Sequence, residues 1–540
     1  MDERTGSSSA GRPTLFVGGP VLGHPTGTAV LIGEGRIADV GPVEAVAGMT
    51  PTGTERIDLD GRMLVPGFQD AHVHPAMGGL QRLRCDLEPA ADLEQALAII
   101  RDHAGGTTPG DWVLGGGWRY RWFPDGNAPA SLLDEVTDHP VWLIVADGHS
   151  GWANRAALER AGIDATTPDP PDGVIVRLAD GSPQGTLHEG AVDLMERVVP
   201  PDEPEDIRAA LIESQDYLLS LGITAWQDAW VTPEVHEAYL DIARSGELRC
   251  RVRGALWWDR NRGIEQLDEI IERSRQSTHT YVAGTVKLML DGVCENFTAS
   301  MLQPYRGPDG QPTENRGLDF LSVDDLPEIV TAIDAAGLQC HFHALGDRAV
   351  RNALDATEHA RRVNGRLDTR PHLAHIQVVD PSDVGRFATL GAIANIQALW
   401  ACADAAMTDL TVPHLPPERV RDQYPFRSLL DAGTQLALGS DWSVSTPDVL
   451  QQIGVAVTRT RPASGAVEPF LPEERLPIDA VLLAATAGSA HVNFLERDSG
   501  SITPGFRADL AVISGDPRID DPFDLSVAMT MLDGDIVYQH

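Results

Sequence analysis

The chain is short of everything that would tie it to a disulfide framework, a bilayer or a nucleic acid. Five cysteines, Cys85, Cys250, Cys294, Cys340 and Cys402, are scattered over 540 residues without a Cys-x-x-Cys pair, so they read as reduced thiols of a cytosolic protein. Uninterrupted apolar runs stay well below the ~20 residues that cross a membrane. Lysine and arginine number 42 against 79 aspartates and glutamates. The net charge of −37 argues against nucleic acid and anionic membrane as partners, because both need a basic face, and serves solubility instead. The opening MDERTGSSSAGR has no apolar stretch of the signal-peptide kind. Residues 1–13 are therefore expected to be a disordered tail and the protein cytoplasmic.

What is present is apolar material for a large core, 42% of residues, and a length within reach of a decorated barrel plus a satellite domain. Residues 14–66 read as short strands with turn signals, TLFVGG, TAVLIGEGRIADVG and RIDLDGRMLVPG, with Gly33-Glu34-Gly35 suited to a hairpin. The same texture returns over residues 491–540, in GSITPGFRADLAVISGDP and SVAMTMLDGDIVYQH. Such ends around an α/β middle imply a small β-sandwich domain composed from both termini; two unrelated β caps are the alternative. Between them, over residues 67–490, short apolar runs alternate with helical stretches as βαβ units require. FQDAHVH, GITAWQD, RVRGAL, GTVKLML, LQCHFHA, PHLAHI, GAIANIQ and QLALGSD are the candidate strands. Eight strands close a (β/α)8 TIM barrel. The interval from the first to the second far exceeds one βαβ unit of roughly 30 residues, so residues 85–215 hold an insertion. Barrel active sites lie where strands end. An insertion after the first strand belongs over that face, as a lid or pocket wall rather than a separate folding unit.

The densest chemistry lies in LVPGFQDAHVHPAMGG, residues 64–79. Pro66-Gly67 reads as a turn and residues 68–74 as a buried strand stopped by Pro75. Alternate side chains of a strand share a face, so His72 and His74 point the same way. Two neutral imidazoles aimed at one point are half of a transition-metal site that carboxylates can complete; a pair of satisfied histidines is the alternative. PGFQDAHVHP resembles the first-strand motif of the amidohydrolase superfamily. Later segments narrow the resemblance to its YtcJ-like, amidohydrolase-3 branch, that of N-substituted formamide deformylase, over about residues 14–540. It implies a TIM barrel whose termini build a small β-domain together.

Lys287 stands in the middle of the apolar strand GTVKLMLDG. Burying an unpaired ammonium costs several kcal/mol, so it either pairs with a carboxylate such as Asp291 or loses its proton. A neutral amine can react with carbon dioxide to give an anionic carbamate, and the resemblance implies that carbamate, bridging two metals. In LQCHFHALGDRAV, His341 and His343 share a strand face. The resemblance makes His343 a ligand, while His341, one layer deeper, reads as a supporting or core histidine. It also makes His375, at a strand end in RPHLAHIQ, the next ligand and leaves His372 without a role. Asp347 and Arg348 read as a helix cap and a pocket-rim charge. Asp441 ends the last candidate strand at Gly-Ser-Asp, where a carboxylate can hold a metal with one oxygen and take a proton from water with the other; a helix N-cap is the alternative.

On the substrate side, DGHSGWAN offers Asp147, His149 and Asn154, which the resemblance turns towards the substrate, with His149 a candidate to polarise a carbonyl oxygen or else a loop-stabilising residue. Glu189 matches a family motif without a role of its own. Trp118, Trp122, Trp152, Trp226, Trp230, Trp400 and Trp442 fall near strand ends or in the insertion and are candidates to line a pocket for an apolar or aromatic group, core packing being the bland alternative. One departure is plain: many relatives carry a histidine after a seventh-strand Gln-Pro, where this chain has IQALWACAD. The expectation is a hydrolase in which His72, His74, Lys287, His343, His375 and Asp441 hold one or two divalent ions, zinc being favoured, with Asp441 moving the proton. The substrate is then a small molecule with a non-peptide C–N bond. Ester, lactone or carbamate hydrolysis on the same site and a non-catalytic scaffold remain the alternatives, and family analogy implies a homodimer.

Overall fold

The computed structural model describes residues 12–146, 148, 150–170 and 173–540, with the backbone alone for Glu189 and Glu196. Eight parallel strands form one sheet: β1 (Phe68–Val73), β2 (Ile223–Val231), β3 (Arg251–Trp257), β4 (Tyr281–Met289), β5 (Gln339–Ala344), β6 (His372–His375), β7 (Ile393–Ile396) and β8 (Leu436–Leu438). Their order in space is their order in the chain. These are the eight segments expected from the sequence. Every residue of β1, β5, β6, β7 and β8 is buried, as in a sheet covered on both faces.

Beyond the last strand the chain returns to the first. Asp441 N–H donates to the His72 carbonyl at 2.8 Å and His74 N–H to the Trp442 carbonyl at 2.6 Å. Ser440 N–H donates to Asp70 Oδ1 at 3.1 Å. This seam has no room for a side chain at Gly439, where a Cβ would lie 2.6 Å from Asn395 Oδ1 and 2.7 Å from His72 Cβ. Gly439→Ala is expected to cost about 1–3 kcal/mol through overpacking, read as a lower urea midpoint at unchanged m value.

The two chain ends build a pair of four-stranded sheets. One holds, in order, Arg36–Pro42, Thr28–Gly33, Thr14–Val17 and Glu55–Asp58; the other holds Asp535–Gln539, Val527–Leu532, Leu510–Ile513 and Met63–Pro66. Leu510–Ile513 pairs antiparallel with Met63–Pro66 and so joins the two ends of the chain. Phe16, Val30 and Ile32 of the first sheet share a core with Leu64, Leu510, Val512 and Met529 of the second. The hairpin turns at Glu34 and Gly35, both with positive φ, as a two-residue turn of matching twist requires.

Residues 75–214 form a compact unit with a six-stranded sheet of its own, ordered Gly173–Arg177, Pro183–Glu189, Ser150–Ala153, Val141–Val145, Val113–Trp118 and Cys85–Asp86. Two apolar clusters fill it, one around Leu87, Ile100, Trp118, Leu143 and Trp152, the other around Leu158, Ile175, Leu187 and Met195. The sequence reading gave this stretch no core of its own; its apolar residues supply one. Among the described residues no helix is long and apolar enough to cross a membrane, and the five cysteines are free and buried.

Candidate metal centre

The strand ends of the barrel bring distant residues together. On β1 the alternation of side chains turns Asp70, His72 and His74 to one side. His72 Nε2 and His74 Nε2 are 3.3 Å apart, and each lies 3.0 Å from Asp441 Oδ1, three residues past β8. Lys287 Nζ, on β4, is 3.5 Å from His72 Nε2. His375 closes β6 with its ring centre 4.8 Å from that of His72 and 4.5 Å from that of His343. His72, His375 and Asp441 each offer one ligand atom, all within 4.8 Å of one another. His375 and Asp441 both adopt left-handed backbone, φ 76° and 57°, a conformation that costs an L-residue of order 1–3 kcal/mol and is held only where surroundings impose it. Here Gln397 Oε1 accepts from His375 N–H at 2.6 Å, and the seam holds Asp441.

Burial sets the charge of each group. It drives the His72 imidazolium down to about 3, with Lys287 adding to the effect, and holds His341, His372 and His375 well below the usual range. It pushes Lys287 down to about 7 against the carboxylates of Asp441 and Asp228. At Asp441 burial works to raise the value, but His72, His74 and His375 hold it well below the carboxylate range. Neutral imidazoles and an ionised carboxylate are the forms that ligate a metal. The donor set, imidazoles and a carboxylate converging on one point, is of the kind that suits a divalent cation. A buried His375 Nδ1 without a hydrogen-bond partner among the described residues is consistent with that fit.

The comparisons with known proteins bear on this geometry. The model of the amidohydrolase family matches residues 55–538. The chain belongs to that family. It is 31% identical to protein LONG AFTER FAR-RED 3 of Arabidopsis thaliana over 93% of this chain and 86% of that one. It is 30% identical to N-substituted formamide deformylase of Arthrobacter pascens over 95% of each. An uncharacterized metal-dependent hydrolase from Pyrococcus horikoshii OT3 has the same fold, with a TM-score of 0.75 at 22% identity over 95% of this chain and 99% of that one. A hydrolase of the amidohydrolase superfamily is thus the coarse identity of the chain.

Within this family member the other expected residues divide. His343 is buried beside His375, and its Nδ1 lies 3.3 Å from Asp291 Oδ1. Asp291 is not the partner of Lys287: its oxygens accept from the backbone N–H groups of Ser300, Leu345 and Gly346. Asp441 is not a helix cap, since Asp448 caps the following helix, Val449–Thr458. Asp347 meets Arg419 at 2.9 Å instead of capping its helix.

Of the tryptophans, Trp118 and Trp152 are fully buried against each other, rings 6.2 Å apart, and belong to the core of residues 75–214 rather than to an open wall. Trp226 is fully buried, its indole N–H 3.4 Å from the Tyr239 hydroxyl, and Trp442 is buried against Tyr217. Large rings at strand ends had suggested a lining, but a strand end also faces the helices outside. Trp400 stacks on His375 at 5.2 Å and 11°. Asp147 and His149 lie outside the described residues, as does the Glu189 side chain, and Asn154 is buried as the N-cap of the helix Arg155–Ala161, its Oδ1 accepting from Ala157 N–H.

One aromatic residue, Trp257, and one acid, Asp70, were missed, while Trp230 was among the tryptophans expected near strand ends. Trp230, 41% exposed, sets its ring edge-on to His74 at 6.4 Å and packs against Trp257. Asp70 is buried, and burial raises its carboxyl to about 7 although Ser440 and the His72 backbone N–H donate to it. Its parity with His72 and His74 was the available signal.

Proposed function

We propose that the protein hydrolyses a non-peptide C–N bond, an amide or an N-acyl or N-formyl amine, of a small apolar or aromatic molecule. The convergence of His72, His74, His375 and Asp441 at the strand ends carries the reading. Its support from outside is the likeness to N-substituted formamide deformylase over nearly the full length. His72, His74, Lys287, His343, His375 and Asp441 would hold one or two divalent ions, zinc being the metal best suited to imidazole and carboxylate together. Such an ion lowers the pKa of water towards neutrality and polarises a carbonyl oxygen. The remaining work falls to the chain. Asp441, ionised and already within hydrogen-bond distance of two ring nitrogens, takes a proton from the attacking water and returns it to the departing nitrogen. Trp230, Trp257 and Trp400 supply apolar surface beside it for a hydrophobic substituent.

The test is a panel of N-formyl and N-acyl arylamines against matched aryl esters and lactones, with the metal-loaded protein. Turnover of the amides is expected. Turnover confined to esters would move the reading to the rival chemistry, and turnover of none would overturn it.

Lys287 carries a narrower expectation. Carbamate formation needs the free amine, and an ammonium shifted down to about 7 is neutral above that pH and charged below it. Bicarbonate added during metal loading is expected to raise the bound metal towards two per chain at pH 8, to lose that effect below pH of about 6 as the amine protonates, and to do nothing for Lys287→Ala. Metal analysis reads it directly.

A further inference from the structure

Beneath the strand-end residues lies a layer of polar side chains inside the barrel that the reaction does not touch. Its hydrogen bonds have only one possible direction. Arg253, on β3, can only donate: its Nε reaches Thr285 Oγ1 at 2.8 Å and Gln339 Oε1 at 3.1 Å. Gln339 Nε2 therefore faces the carbonyls of Arg370 and Val492 at 2.8 and 3.1 Å, and its Oε1 accepts from Gln227 Nε2 at 3.1 Å. That leaves Gln227 Oε1 to accept from His372 Nε2 at 2.9 Å.

From the other side, His375 N–H fixes Gln397 Oε1, so Gln397 Nε2 donates to Asn395 Oδ1 at 3.0 Å. Asn395 Nδ2 in turn donates to the Ala71 carbonyl at 2.8 Å and to His372 Nδ1 at 3.2 Å. His372 is thus locked as one neutral tautomer from both ends, an arginine and a backbone amide, neither of which can reverse. The ring of His341 lies 4.0 Å from that of His372 and is fully buried. Its Nε2 is 2.9 Å from His72 Nδ1.

For His72 to offer the Nε2 lone pair, its single proton must sit on Nδ1, where only an acceptor can hold it. We propose that His341 is that acceptor, a positioning residue that fixes the tautomer and the ring angle of His72, and that the locked layer of His372, Gln227, Gln339 and Arg253 holds His341 in place. The opposite polarity, with His341 donating, would leave the His72 proton on Nε2 and remove a ligand. His341 then carries its own proton on Nδ1, an atom without a hydrogen-bond partner among the described residues. The inference rests on His72 being a metal ligand.

The experiment is zinc affinity by chelator competition on the full chain. In place of histidine, the Gln carboxamide reaches the position of Nε2 and can accept, the Asn carboxamide reaches only that of Nδ1, and Leu accepts nothing. His341→Gln is expected to stay within about threefold of wild type, while His341→Leu and His341→Asn weaken zinc binding by about 10- to 100-fold, the range for partners of metal-bound histidines. Asn keeps a polar group in the layer, so the comparison of Gln with Asn stands even where the leucine variant does not fold. Equal affinity in Gln and Asn variants overturns the proposal. A wild-type chain that binds no zinc refutes the metal reading itself, which is a separate failure.

Discussion

Asp441→Asn is expected to lower kcat by about 10²- to 10⁴-fold, the span that a positioned general base contributes, while the fold stays intact. The amide has the shape of the carboxylate but cannot take a proton. Because Asp441 Oδ1 also lies 3.0 Å from both His72 Nε2 and His74 Nε2, the variant loses a ligand charge as well. Metal content must therefore be measured on the same sample and metal supplied until it matches wild type. A loss of kcat that persists at equal metal content assigns the proton to Asp441. Near-wild-type turnover with metal bound would exclude it as the shuttle.

Stripping divalent metal with a chelator is expected to remove turnover by on the order of 10³-fold or more, since a Lewis acid supplies several kcal/mol of transition-state stabilisation. Zinc added back restores it. The same addition has a thermodynamic signature independent of any substrate: at about a thousandfold excess over Kd, binding to the folded state alone stabilises by about 4 kcal/mol. Tm should rise with zinc for the wild type and much less for His72→Ala. A melting temperature indifferent to every divalent metal tried would remove the basis of the proposed chemistry.

The barrel was legible because its strands are short runs of buried residues with turn signals at both ends, and covered parallel strands leave little else for such runs to be. Parity did the rest for His72 and His74, and the strand-end position for His375 and Asp441, while the same parity at Asp70 went unused. Depth was readable too: His341, two residues before His343, lies one layer down, against His72 Nδ1. What parity cannot give is which face of the cylinder an aromatic ring takes. Trp226 and Trp230, four apart on β2, end respectively fully buried beside Tyr239 and partly exposed beside His74. Nor does a run of loops and short strands announce that residues 75–214 make a sheet and core of their own, because no local signal records pairings as distant as Trp118 with Trp152. The choice left open for Lys287 could not be settled locally for the same reason: the amides that satisfy Asp291 come from Ser300, Leu345 and Gly346.

His72 comes from the first strand of the cylinder and Asp441 from just after the eighth, and they touch only where the two edges of the sheet meet. A nascent chain that has made seven strands therefore carries all four imidazoles, His72, His74, His343 and His375, but not the carboxylate of Asp441. If the site holds a cation as proposed, its carboxylate ligand joins the imidazoles only after the last edge has docked, so the complete ligand set is a late product of folding.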